Sequence, residues 1–416
     1  MDLHEIYKNN KDYIIGSDFE KINSFQKRLI NSYILDNKTL KKNESTKHID
    51  KRIINNFSFF LKNSRPVIED SKTNEKLYPN IIIKNGNEYI LNDLGEKEAI
   101  FESLYFNKNS LYDLYEKYKN TFFEDYLVNL NSVLLNSSFK LEIKENIEKK
   151  IHLSHIIDEN KTTVYAKNFF KVKKNSKLIL IENFDINLKS NSNIVNYFEL
   201  EPGSEVLHYV LQNNTKDADL QFSSHTNCQA SSSFKQFVFN TCQSSVRNHH
   251  YVDLLGQKSI ANLSGVFFAS DNQIIDNKTT IKHASPDCTS NQNYQAIVKD
   301  NAKGSYLSKT HVDSVAQKTE GYQLSKGILL SPNAYFHSKP ELKIYADDVK
   351  CSHGSIIGPF DESLLFYFRS RGINLNTAKS FLIKSFIINL LDDISNFQFK
   401  KNVNRLVDNW LLLHIN

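Results

Sequence analysis

The stretch TNCQASSS, Thr226–Ser233, is polar in a region that otherwise reads as strand. Short alternating runs surround it: Leu178 and Leu180; Val206, His208 and Val210; Phe237 and Phe239; Val266 and Phe268; Ile281 and His283; Ala296 and Val298. Residues two apart on a strand share a face, so each run offers one side to a core. Ser, Asn, Asp and Gly separate the runs from about Lys150 to Lys350, and helical spacing nearly vanishes there. Many short strands suggest an all-β stack; a sandwich, a barrel and a parallel β-helix all fit. The spacing is too uneven for a strict repeat. The polar run favours the β-helix, because each coil of a solenoid pairs with the next and stacked Ser, Thr and Asn side chains can satisfy one another.

Both flanks read as helix. Phe19, Ile22, Phe25, Leu29 and Tyr33 recur three to four apart, an amphipathic face. The reading stays mainly helical to about residue 65, interrupted by the polar loop Asp36–His48. Ile81–Ile83 and Tyr89–Leu91 flank Asn85-Gly86, a hairpin signal. From Glu96 to Leu135 the residues Leu104, Leu111, Leu114 and Tyr118 return to helical spacing. After Gly354 helices resume. Asp361, just past Pro359, is an N-cap candidate, and Gly372 is placed as a C-terminal cap. Asn376 or Thr377 can start the next helix, with Ala378, Leu382, Phe386 and Leu390 four apart. A last helix carries Val403, Leu406, Val407, Trp410 and Leu411. The expected architecture is mainly β: a right-handed parallel β-helix core over 150–355, a mostly helical N-terminal region over 1–149, and a C-terminal helical domain over 356–416. That last domain either caps an open sheet edge or offers an apolar groove to a partner.

Composition narrows the function classes. The 52 basic residues face 47 acidic ones, a net charge of +5 that does not argue for nucleic acid. The KVKK run, Lys171–Lys174, reads as a solvated strand edge. The N-terminus shows no secretory signal. The longest apolar stretch, Phe381–Leu391, is broken by Lys384 and too short to span a bilayer. A cytoplasmic protein without membrane insertion, its cysteines reduced, is expected. The cysteines at 228, 242, 288 and 351 have no CxxC spacing; Cys228 and Cys242 are expected to face the core. No GxxxxGK[ST] motif occurs, so this chain is expected to bind no ATP.

The chemistry concentrates in DDVKCSHG, Asp347–Gly354. On a strand Cys351 and His353 project together while Ser352 points away. Thiolate beside imidazole suits iron or zinc, but two ligands leave a tetrahedral site incomplete. The plain alternative is a small buried Cys beside a hydrogen-bonded His. Asp347 and Asp348 either fix the imidazole tautomer or form a solvated turn. His283 and Cys288, a second soft pair, are separated by a turn at Pro286. His249 and His250 point to opposite faces and cannot share one metal. Asp271, Asp276 and Asp287 are scattered through loops, so a two-carboxylate polysaccharide-active β-helix enzyme is a weak alternative. A stand-alone metal-binding protein using Cys351 and His353 is the other.

The words AQKT (Ala316–Thr319), LLSPNA (Leu329–Ala334), KPELKIYADDVKCSHG (Lys339–Gly354) and FYFRSRGI (Phe366–Ile373) together resemble the SufB/SufD family of iron–sulfur cluster assembly proteins, the SufD branch above all. The resemblance is strong over the last third of the chain, fair through the middle and weak before about Lys150. A Trp-containing word common near residue 45 in the family is replaced here by NESTKH. The resemblance implies a β-helix and a non-catalytic scaffold subunit. It implies pairing with a SufB-like subunit as a heterodimer and docking of a SufC-like ABC ATPase that supplies ATP hydrolysis. It implies a transient iron–sulfur cluster or iron at the SufB interface, with His353 as the matching metal-contacting residue and Cys351 beside it. Participation of a flavin stays open. The helical region around Leu364–Leu391 resembles the ATPase-docking part, with Leu364, Phe366, Phe368, Arg369, Arg371 and Phe386 as docking candidates.

Overall fold

The computed structural model describes residues 3–37, 80–90, 94–118, 125–186, 189–213, 218–241 and 245–415. Strands dominate, and they form a β-solenoid of about seven turns with helices at both ends. From β4 (Ser137–Ile143) to β19 (Val349–Gly358), consecutive strands alternate between two sheets. Odd-numbered strands from β5 (Glu148–Ile157) onward build one sheet; even-numbered strands from β4 build the other. Each pairs in parallel with the strand one coil on, so the interior is a continuous stack. The coil length drifts: Leu220 pairs with Val246, 26 residues on, and Lys303 with Tyr335, 32 on. That drift hides the repeat from a sequence search at fixed period.

One corner of the coil keeps time nevertheless. Asn146, Asn175, Gly203, Ser231, Lys258, Asp287 and Lys318 all have positive φ. Each donates its N–H to a carbonyl in the turn of the following coil, at 2.6–3.3 Å, ending with Lys318 on the Asp348 carbonyl. A left-handed backbone costs a non-glycine residue about 1–2 kcal/mol. The ladder bond offsets it by about 1 kcal/mol. The residue after each of them except Asn146, which precedes Ile147, is a small hydroxyl or thiol, and Ser204, Ser232, Ser259 and Thr319 close their own turns by donating to carbonyls at 2.7–2.9 Å. Cys288 occupies the same place, with its thiol on the Pro286 carbonyl of its own turn at 3.5 Å and on the Gly256 carbonyl of the preceding coil at 3.3 Å. The interior between the corners mixes apolar stacks such as Phe170 on Phe198, 4.8 Å apart, with polar files. In one file Glu182 accepts from His155, His208 and Asn196; in another Gln292 and Gln323 both donate to Thr310.

The two ends of the solenoid differ. At the N-terminal end β1 (Asn80–Lys84) already pairs in parallel with β5, well before the change of period at Lys150. It turns at Asn85-Gly86 into antiparallel β2 (Asn87–Ile90), as the hairpin signal predicts. The stretch expected to be helical from Glu96 begins instead with β3 (Ala99–Ser103), antiparallel to β4. Pairing with an existing edge outweighs local propensity there. Antiparallel strands therefore end both sheets. Among the described residues the C-terminal end has no such closure: β18 (Tyr335–Ile344) and β19 are the last strands of their sheets.

Helices cover the flat faces. Helices α1 (Leu3–Asn9), α2 (Glu20–Asn37), α3 (Lys108–Tyr118) and α4 (Tyr126–Val133) pack on Tyr165, Phe169, Val195 and Tyr197 of the even sheet. The expected helix beyond residue 37, and most of the polar loop, lie outside the described residues. Helices α5 (Glu362–Ser370), α6 (Leu375–Asp392) and α7 (Phe397–His414) form the C-terminal layer. It buries Ile383, Ile387, Val403 and Trp410 against Leu207, Tyr209, Phe237 and Phe268 of the odd sheet. That layer lies over a sheet face and not over an open edge, because the odd strands are apolar on their outer side as well. Asp361 caps α5 through the Ser363 and Leu364 N–H groups. Gly372 ends it in a Schellman turn, with Gly372 N on the Arg369 carbonyl and Ile373 N on the Phe368 carbonyl. The cap of α6 is Asn374, accepting from Thr377 N, two to three residues before the expected start. The Lys171–Lys174 run is not a sheet edge: β6 (Thr163–Val172) lies between β4 and β8 (Ser190–Leu200), and Lys173 pairs with Glu142 and Glu201.

The N-terminal hairpin is held by Glu88 on β2, whose buried carboxylate accepts from Ser138 N at 2.7 Å and Ser137 Oγ at 3.1 Å. Burial pushes its pKa up to about 7. A carboxyl raised in the folded state contributes fully below about pH 4.5 and becomes a liability as pH rises toward 7. Glu88→Gln should therefore match the wild type in urea midpoint at pH 4.5. At pH 8 it should gain about 3 kcal/mol. A variant less stable at both values refutes the assignment.

Candidate functional site

The register places Cys351 opposite Gly321 and His353 opposite Gln323 on the neighbouring odd strand β17 (Thr319–Leu329). Gly321 and Gln323 point into the solenoid, so Cys351 and His353 occupy interior positions as well. The last coil has no coil above it among the described residues, and its interior row is therefore unroofed. His353 is exposed there, without a hydrogen bond or ion pair among the described residues, and Cys351 is half-buried. The expectation that the two share a face holds; their exposure differs because Cys351 tucks toward Ala316, Ala346 and Val312. Glycine at 321 makes room for the thiol, since a Cβ there would meet Cys351 Sγ at 3.3 Å. Burial raises the Cys351 thiol, partly countered by the Gly321 N–H. At neutral pH it is a protonated thiol that must lose its proton to bind metal.

Behind these residues lies a polar floor centred on Gln323. Gln323 donates to Thr310 Oγ1 at 2.8 Å and to the Glu341 carbonyl at 3.2 Å, and accepts from Ser308 at 3.1 Å. Around it the free strands expose Tyr335, Ile344, Tyr345, Ile356 and Ile357, with Ile356 at 64%. Asp347 and Asp348 are exposed and make no contact with the imidazole. Asp348 instead serves the corner ladder: its carbonyl accepts from Lys318 N and its N–H donates to Gln317 Oε1.

The other sequence candidates separate. His283 is buried and bonded to Ser290 at 2.8 Å, and burial lowers it to about 4. Cys288 is a turn-closing residue on the corner, so the pair is structural. His249 faces the N-terminal helices and His250 the interior, where it bonds Ser224 at 2.8 Å. Cys228 is buried as expected; Cys242 lies outside the described residues. Asp271 and Asp287 are turn residues at positive φ, while Asp276 is buried against His249. These carboxylates build no hydrolytic pair. Among the described residues no three His, Cys, Asp or Glu side chains converge as a metal site.

The docking candidates lie on the outer C-terminal layer. Leu364 and Phe366, 46% and 74% exposed, face away from the core with Tyr367, Arg369 and Arg371. Phe368 is half-buried, 6.3 Å from the Phe381 ring. Phe386 packs inward against the sheet. No helix among the described residues is long and apolar enough to cross a membrane.

Residues 155–386 match the family model described as SUF system FeS cluster assembly, SufBD core domain, which is more than half of the chain. The chain belongs to the SufBD core family. Its likeness within that family is to SufD. It is 32% identical over 158 residues to the iron-sulfur cluster assembly protein SufD of Escherichia coli, covering 38% of this chain and 37% of that protein. It is 28% identical over 284 residues to a SufBD family protein of Synechocystis, covering 64% of this chain and 62% of that one. It is also 34% identical over 155 residues to the chloroplastic protein ABCI7 of Arabidopsis thaliana, covering 37% and 33%. Each matched stretch is thus less than two thirds of the relative's own length. Family membership supports a role in iron–sulfur cluster assembly. The matched core takes in the unroofed coil, the first C-terminal helix and most of the second, so it covers the candidate site.

Proposed function

We propose that this chain is a SufD-like, non-catalytic scaffold subunit. Its open C-terminal coil pairs with the corresponding coil of a SufB-like subunit, and a nascent iron–sulfur cluster assembles where the two meet. The observation that carries this reading is the unroofed coil. It combines two free strands, an exposed apolar rim and an unengaged His353 in one place. A solenoid end of this kind is an aggregation hazard unless something covers it. A second coil would continue both sheets and complete the ligand set that Cys351 and His353 leave unfinished. His353 supplies an imidazole donor to iron; Cys351 supplies a thiol that binds once deprotonated. Leu364, Phe366, Arg369 and Arg371 form the face to which a SufC-like ATPase docks, and ATP chemistry stays on that subunit. Operation in a cytoplasm that keeps thiols reduced follows from the free cysteines the site requires.

Anaerobic co-purification with SufB-like and SufC-like subunits from the same source, with iron and sulfide assayed, tests the reading. The complex should form with wild-type chain and with His353→Ala, and the variant complex should lose most of its iron and sulfide. An unchanged cluster content removes His353 from the site, and failure to assemble overturns the scaffold reading.

A further inference from the structure

Away from that site, a cavity of about 20 Å³ lies where the N-terminal helices meet the even sheet. Helices α2, α3 and α4 contribute Leu29, Tyr115 and Ser132; β6 contributes Lys167, and β8 contributes Tyr197. Such a volume holds one water-sized group. Lys167 is the one cationic side chain among the described residues lining it, and it is 2% exposed. Its ammonium bonds Ser132 Oγ and lies 5.1 Å from the Tyr115 ring centroid and 5.8 Å from that of Tyr197. No carboxylate among the described residues reaches it. Glu199, which accepts from the wall residue Tyr118, is paired with Lys117.

A buried ammonium has three N–H groups to satisfy and a charge to balance. Ser132 takes one N–H, and the ring faces supply cation–π attraction without full neutralisation. We propose that the Lys167 cavity is a binding site for a small monovalent anion of about chloride size, which pairs with the ammonium and pins the N-terminal helices to the solenoid. The donors fit: the ammonium supplies charge and the two N–H groups that Ser132 leaves free. Burial alone lowers the Lys167 pKa to about 7, so without an anion the group is only partly charged at neutral pH. Anion binding selects the charged form and draws a proton in with it. The surrounding Tyr115, Tyr118 and Tyr197 are all raised by burial and stay neutral in that range. The inference is independent of the cluster-assembly reading.

The test uses the full chain. Thermal unfolding is followed at pH 7 in sodium bromide and in sodium gluconate at equal ionic strength, for the wild type and for Lys167→Met. The wild type should melt several degrees higher in bromide, and Lys167→Met should not distinguish the salts. Crystals grown in bromide should show an anomalous peak within contact of Lys167 Nζ. That measurement needs no variant to fold. No peak at the amine, or the same salt response in both proteins, overturns the proposal and leaves Lys167 as a neutral amine bonded to Ser132.

Discussion

Arg247→Met is expected to destabilise the protein by about 3–5 kcal/mol, the usual cost of removing one partner from a buried ion pair. Arg247 on β12 (Val246–Leu254) reaches Asp125, the N-cap of α4, at 2.9 Å. Asp125 also accepts from Leu127 N at 3.0 Å and lies 3.3 Å from His249 Nδ1. The far nitrogen of His249 lies 3.2 Å from Asp276, which accepts from Ser305. Two carboxylates, one guanidinium and one imidazole are thus buried between the N-terminal helices and the even sheet. Burial by itself would raise both acids. The Arg247 charge and the His249 contacts outweigh it for Asp125 and hold it well below the usual carboxylate range. The His249 contacts, with Arg247 behind them, hold Asp276 at about 2. Both pKa values are depressed in the folded state, so the stability they carry is complete above about pH 4 and fades as pH falls through their folded values. Without the guanidinium the two acids are left with one imidazole, and their pKa values rise. The gap between variant and wild type should therefore stay wide from pH 7 down to about pH 4 and narrow as pH falls from there toward 2. Hydrogen exchange of the α4 amides, read with the melting temperature, locates the loss. Melting at the wild-type temperature at pH 7, with α4 still protected, would show that the network is idle.

How much of this was legible beforehand depended on the range of the interactions. Local signals read true. Asp361 and Gly372 mark both ends of α5, and Asn85-Gly86 marks its hairpin, because caps and tight turns are settled within a few residues. The period-2 runs located the solenoid strands, and polar TNCQASSS lies where β10 (Ala218–Cys228) turns the corner into β11 (Ser233–Asn240). The repeat itself was hidden, since its marker is a backbone conformation held in turn by Asn, Gly, Ser, Lys and Asp. The placement of the C-terminal helices over a sheet face did have a signal. The runs Phe237–Phe239 and Val266–Phe268 are apolar at every position, as strands covered on both sides are. Asp125 and Arg247, 122 residues apart, left no trace in the sequence.

The candidate site was half legible. Spacing put Cys351 and His353 on one face, and the register agrees. Spacing could not show that this face belongs to the last coil, where an interior position becomes an open one. The same chemistry one coil earlier is sealed: Gln323, in register with His353, is buried with all its hydrogen bonds made inside. Position in the stack, more than residue type, separates a structural residue from a reactive one here. Cys288 makes the same point, since its thiol merely replaces the hydroxyl used in other turns.

The interior of the solenoid sets up the second large effect. Glu182 on β7 (Lys177–Ile186) is fully buried and takes hydrogen bonds from His155 at 2.7 Å, His208 at 2.8 Å and Asn196 at 2.8 Å. Those donors sit on β5, on β9 (Glu205–Gln212) and on β8 across the interior, so one carboxylate ties three coils together. Burial would raise its pKa; the two imidazole contacts outweigh it and bring it to about 2. Its contribution is complete above about pH 4.5 and is lost as pH falls toward 2. Glu182→Leu fills the space but strands three donors, each costing about 1–3 kcal/mol when buried without a partner. A loss of roughly 3 kcal/mol or more is expected in urea unfolding at pH 7. Removing the donors should then recover stability: adding His155→Leu and His208→Leu replaces a buried polar cluster by apolar side chains, a change that is often neutral. A triple variant more stable than the single one identifies stranded donors as the cause. A single variant as stable as the wild type would mean that the carboxylate is dispensable and that the apolar stack of Phe170, Phe198 and Phe234 alone holds these coils in register.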